Sequence, residues 1–139
     1  MPDLIQLADG TIVVGYNPRP NTPYTEDRRF GIRCKRSTDN GKTWSDEIFV
    51  NDALHTFNDG CWEPSFLELP SGELQLYFAD EGPYTRSNEQ QISMCRSFDK
   101  GQTWTAAQKV SFRAGSRDGM PSAIILVASL SAQKSSEAA

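Results

Sequence analysis

The feature that most constrains this chain is an eight-residue pattern that occurs twice. Ser37-Thr38-Asp39-Asn40-Gly41-Lys42-Thr43-Trp44 and Ser97-Phe98-Asp99-Lys100-Gly101-Gln102-Thr103-Trp104 share the form Ser-x-Asp-x-Gly-x-x-Trp and lie 60 residues apart. A fixed period of that size signals an architecture of stacked supersecondary units. The surroundings repeat too. Pro2 and Pro64 each precede a short apolar strand, a glycine turn (Asp9-Gly10 or Ser71-Gly72) and a second apolar strand. Those dipeptides are signals for two-residue hairpins. A polar loop and a third strand follow, at 30–36 and 91–96, and each third strand ends in the octapeptide. Short fourth strands are predicted near 47–50 and 108–112, and Pro121 opens a further copy.

Four short antiparallel strands per repeat are the grammar of a propeller blade. The chain therefore reads as all-β: a β-propeller fragment of about two four-stranded antiparallel blades plus the first strand of a third. Blade one is expected over about 2–52, blade two over about 62–113, and the start of blade three over 119–126. Helical periodicity is absent throughout. After Leu126 the pattern fails and a Ser/Ala bias replaces it, so 127–139 is predicted to be a disordered tail. Two blades cannot close a ring, which leaves strand edges and apolar faces without neighbours.

The octapeptide has a physical logic. It reads as a tight turn between a blade's third and fourth strands. Gly41 and Gly101 can take the positive φ such a turn needs. Asp39 and Asp99 can accept backbone N–H bonds within it, as Asx-turn residues do. Ser37 and Ser97 open the two turns. Trp44 and Trp104 are expected to fold back as largely buried apolar plugs.

These residues resemble the Asp-box, or bacterial neuraminidase repeat, of the sialidase superfamily. The resemblance covers residues 2 to about 126 and implies a six-bladed propeller as the complete fold. It also implies a glycoside hydrolase that acts at the ends of glycans, with carbohydrate as the partner. Exo-arabinanase-like hydrolases and non-catalytic propellers that bind glycan or protein carry the same turns, so those alternatives stand beside the sialidase-like one. In this superfamily the Asp-box residues are structural.

Composition excludes some classes. A formal net charge of −4 offers no basic excess for nucleic acid or anionic membrane. No apolar run approaches the roughly 18 residues of a membrane span. The first residues lack a basic n-region and a long apolar h-region, so no signal peptide is read there. Localisation stays open, a secreted or periplasmic parent included. Cys34, Cys61 and Cys95 show no CxxC spacing and are expected as buried free thiols. His55 has no metal partners in sequence, and no phosphate-binding loop occurs, so neither metal nor cofactor is expected.

Strand order predicts polarity. The Asp-box turns and first hairpins share one rim. The longer loops between second and third strands, and the crossings between blades, share the other, where binding residues usually sit. That rim collects Arg19, Asp27 and Arg29 from the first loop and Glu63 from the start of blade two. It also collects Asp80, Glu81 and Tyr84 from the second loop, and Arg117 with Asp118 from the last crossing. Carboxylates, arginines and tyrosines together suit an acid/base, a nucleophile and clamps for a sugar. By resemblance to sialidases, the loop after Tyr16 makes Asp27 the candidate acid/base, while an arginine preceding a proline like Pro2 and a nucleophilic tyrosine have no counterpart here. By resemblance to exo-arabinanase-related propellers, Trp62-Glu63-Pro64 and Arg117-Asp118-Gly119-Met120-Pro121 make Glu63 and Asp118 the candidate carboxylates. Arg19, Arg29, Asp80, Glu81, Tyr84 and Arg117 are the candidate substrate-binding residues.

Overall fold

A computed structural model describes residues 1–127. It contains eight strands and, among the described residues, no helix. β1 (Asp3–Gln6), β2 (Ile12–Tyr16), β3 (Ile32–Ser37) and β4 (Ile48–Asn51) pair in sequence order as one antiparallel sheet. β5 (Cys61–Glu68), β6 (Leu74–Asp80), β7 (Gln91–Ser97) and β8 (Gln108–Ser111) form a second in the same way. This is a propeller fragment of two blades.

The first hairpins differ from the two-residue turns expected. Leu7 N–H donates to Thr11 O and Gly10 N–H to Leu7 O, each at 2.8 Å, so three residues separate the closing pair. Leu69, Gly72 and Glu73 repeat this arrangement. Gly10 and Gly72 take φ of 91° and 88° at the third loop position. This is the type I turn followed by a left-handed residue that three-residue hairpins favour.

The two octapeptides fold alike. In each, the serine hydroxyl donates to the aspartate (Ser37 Oγ to Asp39 Oδ1, Ser97 Oγ to Asp99 Oδ1, both 2.8 Å) and accepts the glycine N–H at 2.8 Å. Each aspartate also accepts the threonine N–H and hydroxyl four residues on: Thr43 at 2.9 and 2.5 Å, Thr103 at 2.8 and 2.5 Å. Asn40-Gly41 and Lys100-Gly101 are consecutive positive-φ pairs (59° and 79°, 60° and 81°). The threonine bonds, with help from Ser37, hold the Asp39 carboxyl down at about 2. Burial raises the Asp99 carboxyl, but the bonds from Thr103 and Ser97 together outweigh it and the net shift is downward.

The core lies between the blades. Val13, Ile32 and Cys34 from blade one and Phe66, Leu74, Leu76 and Cys95 from blade two belong to one buried cluster. Strand alternation puts Val13 and Gly15 on the same face of β2, as period-2 geometry requires. A side chain at Gly15 would strike the Phe66 ring at 2.9 Å, so glycine lets the second blade approach. Polar links reinforce the packing. Phe66 N–H donates to Asp3 Oδ2 at 2.8 Å, Ala8 N–H to Glu68 Oε2 at 3.0 Å and Arg36 Nε–H to Lys100 O at 2.7 Å. Lys100 Nζ pairs with Asp9 Oδ2 at 2.6 Å.

One expectation about the tryptophans is corrected. Trp104 packs on the core with its ring 6.3 Å from that of Phe66, but Trp44 is 40% exposed. The turn of blade two lies against Val13 of blade one, whereas among the described residues no blade covers the matching side of blade one's turn. The run 119–126 also forms no strand. A strand exists only through its ladder, and the one parallel bridge nearby, between Arg117 and Gln90, falls just before this run. Apart from Val127, the tail expected at 127–139 lies outside the described residues.

Candidate functional site

Register fixes which end of each blade carries which residues. Cys61, Asp80 and Gln91 align across β5–β6–β7 at one end, and Leu74 aligns with Ser97 at the other. Glu63 and Asp80 thus lie at the end away from the Asp-box turns, where the long loops gather.

The ladder is irregular at Glu63. The β5–β6 register shifts between Trp62 and Ser65. Glu63 has φ 58°, although a residue before proline is normally confined to extended conformations. Met120, before Pro121, has φ 50°. The strained backbone therefore belongs to the repeat, and the carboxylate is what Glu63 adds to it. Glu63 Oε2 accepts Met120 N–H at 2.5 Å. Among the described residues Oε1 accepts no hydrogen bond.

Three adjoining clefts meet at Glu63. The first, about 280 Å³, is lined by Arg19, Phe57, Trp62, Glu63, Glu81 and Arg117 among others. The second runs toward Met1, Tyr16 and Asn17, and the third toward Ser65, Met120 and Ser122. In the first cleft, Trp62 Nε1–H donates to Glu81 Oε2 at 2.9 Å and Gly60 N–H donates to the same oxygen at 3.1 Å. Arg117 pairs with Glu81 Oε1 and also donates to Asn88 Oδ1 at 2.8 Å and Gln90 Oε1 at 3.1 Å. The Arg19 guanidinium lies over the Trp62 ring at 5.3 Å and 5.7 Å from the centre of the Phe57 ring. Glu63, Glu81, Arg19 and Arg117 therefore converge on one space.

The other candidates stand elsewhere. Asp27 is exposed on the first loop and lines a separate cleft with Arg28, Arg29 and Arg33. A hydrogen bond from Thr25 holds its carboxyl below the usual range, the opposite of what a general acid needs. Arg29 donates to Ala53 O at 3.2 Å and shares a third region with Asp80. Asp80 is buried and accepts bonds from Ser93 Oγ at 2.8 Å and Gly82 N–H at 3.0 Å. Burial is the largest influence on its carboxyl and raises it despite those bonds. Tyr84 stacks on Phe112 at 4.8 Å and donates to Gln91 Oε1 at 2.8 Å. Burial is the main reason its hydroxyl pKa is raised. The Asp118 carboxylate is held by Arg113 at 2.6 Å, and its main chain is tied to Gln90.

Phe57, Asn88 and Gln90 also line the first cleft, although nothing in the sequence marks them as site residues. Each is an ordinary loop or strand-edge residue by type, and only the blade crossing brings it to the cleft. Asn17 opens the loop after Tyr16. Its Nδ2 donates to Gly31 O at 3.0 Å and Cys61 O at 2.5 Å, tying the first loop to both blades.

Fold and turn chemistry together define a class: a stretch of Asp-box propeller of the sialidase-like kind. More particularly, the chain belongs to the family of BNR repeat-like domains, which matches residues 2–135. Among curated proteins no match was found. Solved structures with the same fold include a Hadza microbial sialidase, with 24% identity and TM-score 0.62, matching 78% of this chain and 25% of that one. An α-L-arabinanase of Penicillium chrysogenum complexed with arabinobiose has 21% identity and TM-score 0.70, with coverage of 87% and 36%. An α-L-arabinofuranosidase of Fusarium graminearum has 20% identity and TM-score 0.70, with coverage of 88% and 36%. The chain thus spans about a quarter to a third of the length of these structures.

Proposed function

We propose that the chain forms part of the substrate-binding rim of an exo-acting, sialidase-like glycoside hydrolase, with Glu63 as a carboxylate that acts on the glycosidic bond. One observation carries this reading. Glu63 stands where three clefts meet and, among the described residues, keeps one oxygen without a protein donor. The carboxylates of Asp80, Glu81 and Asp118 are engaged by protein groups.

A second reading, an arabinanase-like enzyme acting on a neutral sugar, is favoured by the commitment of Arg117. Its guanidinium already faces Glu81 and Asn88. Arg19 is then the cleft cation left to meet an acidic sugar, where sialic acid calls for several bidentate guanidinium contacts.

Glycoside hydrolysis needs two carboxyl groups, or equivalent groups, flanking the bond. Glu63 is one, so the second comes from a further blade. The test is to assay the 139-residue chain and a complete propeller containing it with activated sialosides and arabinofuranosides. The chain alone should show no turnover. The complete propeller should hydrolyse one of the two substrates and lose roughly 10²–10⁴-fold in kcat on Glu63→Gln. Full activity in that variant overturns the role of Glu63, and the preferred substrate decides between the two sugars.

A further inference from the structure

Glu81 is only 4% exposed, yet it borders an open cleft. Its two oxygens face different partners. Oε2 takes the N–H groups of Gly60 and Trp62, and Oε1 takes the guanidinium of Arg117. Its own N–H donates to Gly60 O at 3.0 Å, so the backbone around it is fixed as well. A buried carboxylate needs such partners, because desolvation without compensation is costly.

The indole carries the influence of Glu81 further. Phe30 and Phe57 pack against Trp62 with ring centres 5.6 and 5.3 Å away. Packing confines the ring to its place, and the bond to Glu81 selects which edge points inward. The Arg19 guanidinium then rests over that ring. A cation over an aromatic face is attracted by the ring quadrupole, so the orientation of the indole sets where the cation lies. Among the described residues Arg19 has no carboxylate within ion-pair distance. Its place is therefore set by these rings, and its N–H groups are left for a ligand.

We propose that Glu81 is a positioning residue for both cleft arginines, holding Arg117 by direct ion pair and Arg19 through the indole of Trp62. One carboxylate thereby sets the two cations that face the space beside Glu63. That the space takes a sugar rests on the reading given under Proposed function. The positioning does not depend on it.

The experiment follows isotope-labelled protein by NMR. The Trp62 indole N–H, assigned by its loss in Trp62→Phe, should exchange slowly, and the Arg19 δ-protons should lie upfield through ring currents. Glu81→Leu should speed indole exchange by about tenfold or more, the equivalent of losing a bond to a charged group, and should move the Arg19 protons toward their unstructured values. Glu81→Gln keeps an acceptor for the indole but loses the charge. It should preserve the Trp62 and Arg19 signals while releasing Arg117. If Glu81→Leu fails to fold, Trp62→Phe serves instead. It keeps a ring but removes the N–H, and it should also shift the Arg19 protons. Arg19 protons that stay in place in Glu81→Leu, or in Trp62→Phe where it replaces that variant, overturn the proposal. In a complete, active propeller, Glu81→Gln should raise KM about tenfold, the usual value of a charge-assisted contact, with kcat within about twofold. If the NMR responses appear but no glycoside is hydrolysed, Glu81 still positions the arginines and only the sugar reading falls.

Discussion

Gly15 and Phe66 offer a direct measure of how the two blades meet. A Cβ built on Gly15 would stand 2.9 Å from Phe66 Cζ, 3.0 Å from Cε2 and 3.4 Å from Leu76 Cδ1. Gly15→Ala therefore forces the ring or the sheet to move. Overpacking of this kind costs about 1–3 kcal/mol, offset by roughly 0.4–1 kcal/mol from the smaller entropy of the unfolded chain. Phe66→Leu alone opens space in a site where the ring is only 7% exposed, at a cost of about 1–2 kcal/mol. The two changes are complementary, because leucine lacks the two ring atoms that the new methyl would strike. In the double variant the methyl enters the vacated space, and the total cost should fall short of the sum by about 1 kcal/mol or more. Urea denaturation of the four proteins, followed by far-ultraviolet circular dichroism and tryptophan fluorescence, measures that coupling. Additivity within roughly 0.5 kcal/mol would refute the packing of Phe66 on Gly15, and with it the relative placement of the blades.

Three further expectations concern the turns and the core. Trp104→Ala should destabilise the fold by roughly 2–4 kcal/mol, below the fully buried range because the ring is only partly covered, and Trp44→Ala by less than half of that. Equal costs in thermal unfolding would contradict their different surroundings. The Asp39 carboxyl is lowered by its threonine and serine bonds to about 2 from 3.8. Its contribution is therefore complete above the unfolded value and fades as pH falls from about 4 toward 2. Asp39→Asn should flatten that part of the acid-unfolding curve, and a carboxyl carbon of Asp39 titrating near 4 would sink the argument. Burial pushes the Cys95 thiol up to about 12 and raises those of Cys34 and Cys61 as well. A disulfide reagent at mildly alkaline pH should label none of the three in native protein and all three once it unfolds, because attack requires the thiolate. Rapid labelling of the native protein would mean that the core is open.

The blade pattern was legible because it is written in local terms. Short apolar runs in β2 and β6, each following a glycine turn, report strands. Ser-x-Asp-x-Gly specifies a turn whose donors and acceptors are all within a few residues of one another, so both copies close identically. The hairpins at Gly10 and Gly72 were legible as turns but not as three-residue loops, since the closing pairs Leu7–Thr11 and Leu69–Glu73 depend on ladder register. The candidate site was legible only as a collection of residue types on one rim. Its sorting depends on partners far apart in sequence, such as Arg117 on Glu81 and Met120 on Glu63.

What the sequence determined by itself is therefore the blade and its turn, because short apolar strands, glycine at positive φ and an aspartate reaching a threonine four residues away are short-range physics. What only the tertiary structure decided is the fate of identical or similar groups in different surroundings. Trp104 packs beside Phe66 while Trp44 meets solvent, although their octapeptides match. Asp80 is buried in bonds to Ser93 and Gly82, Glu81 is spent on Trp62 and Arg117, and Glu63 keeps an oxygen free among the described residues. Burial and hydrogen bonding are set by what the other blade and the crossing loops bring near, and no local pattern encodes that.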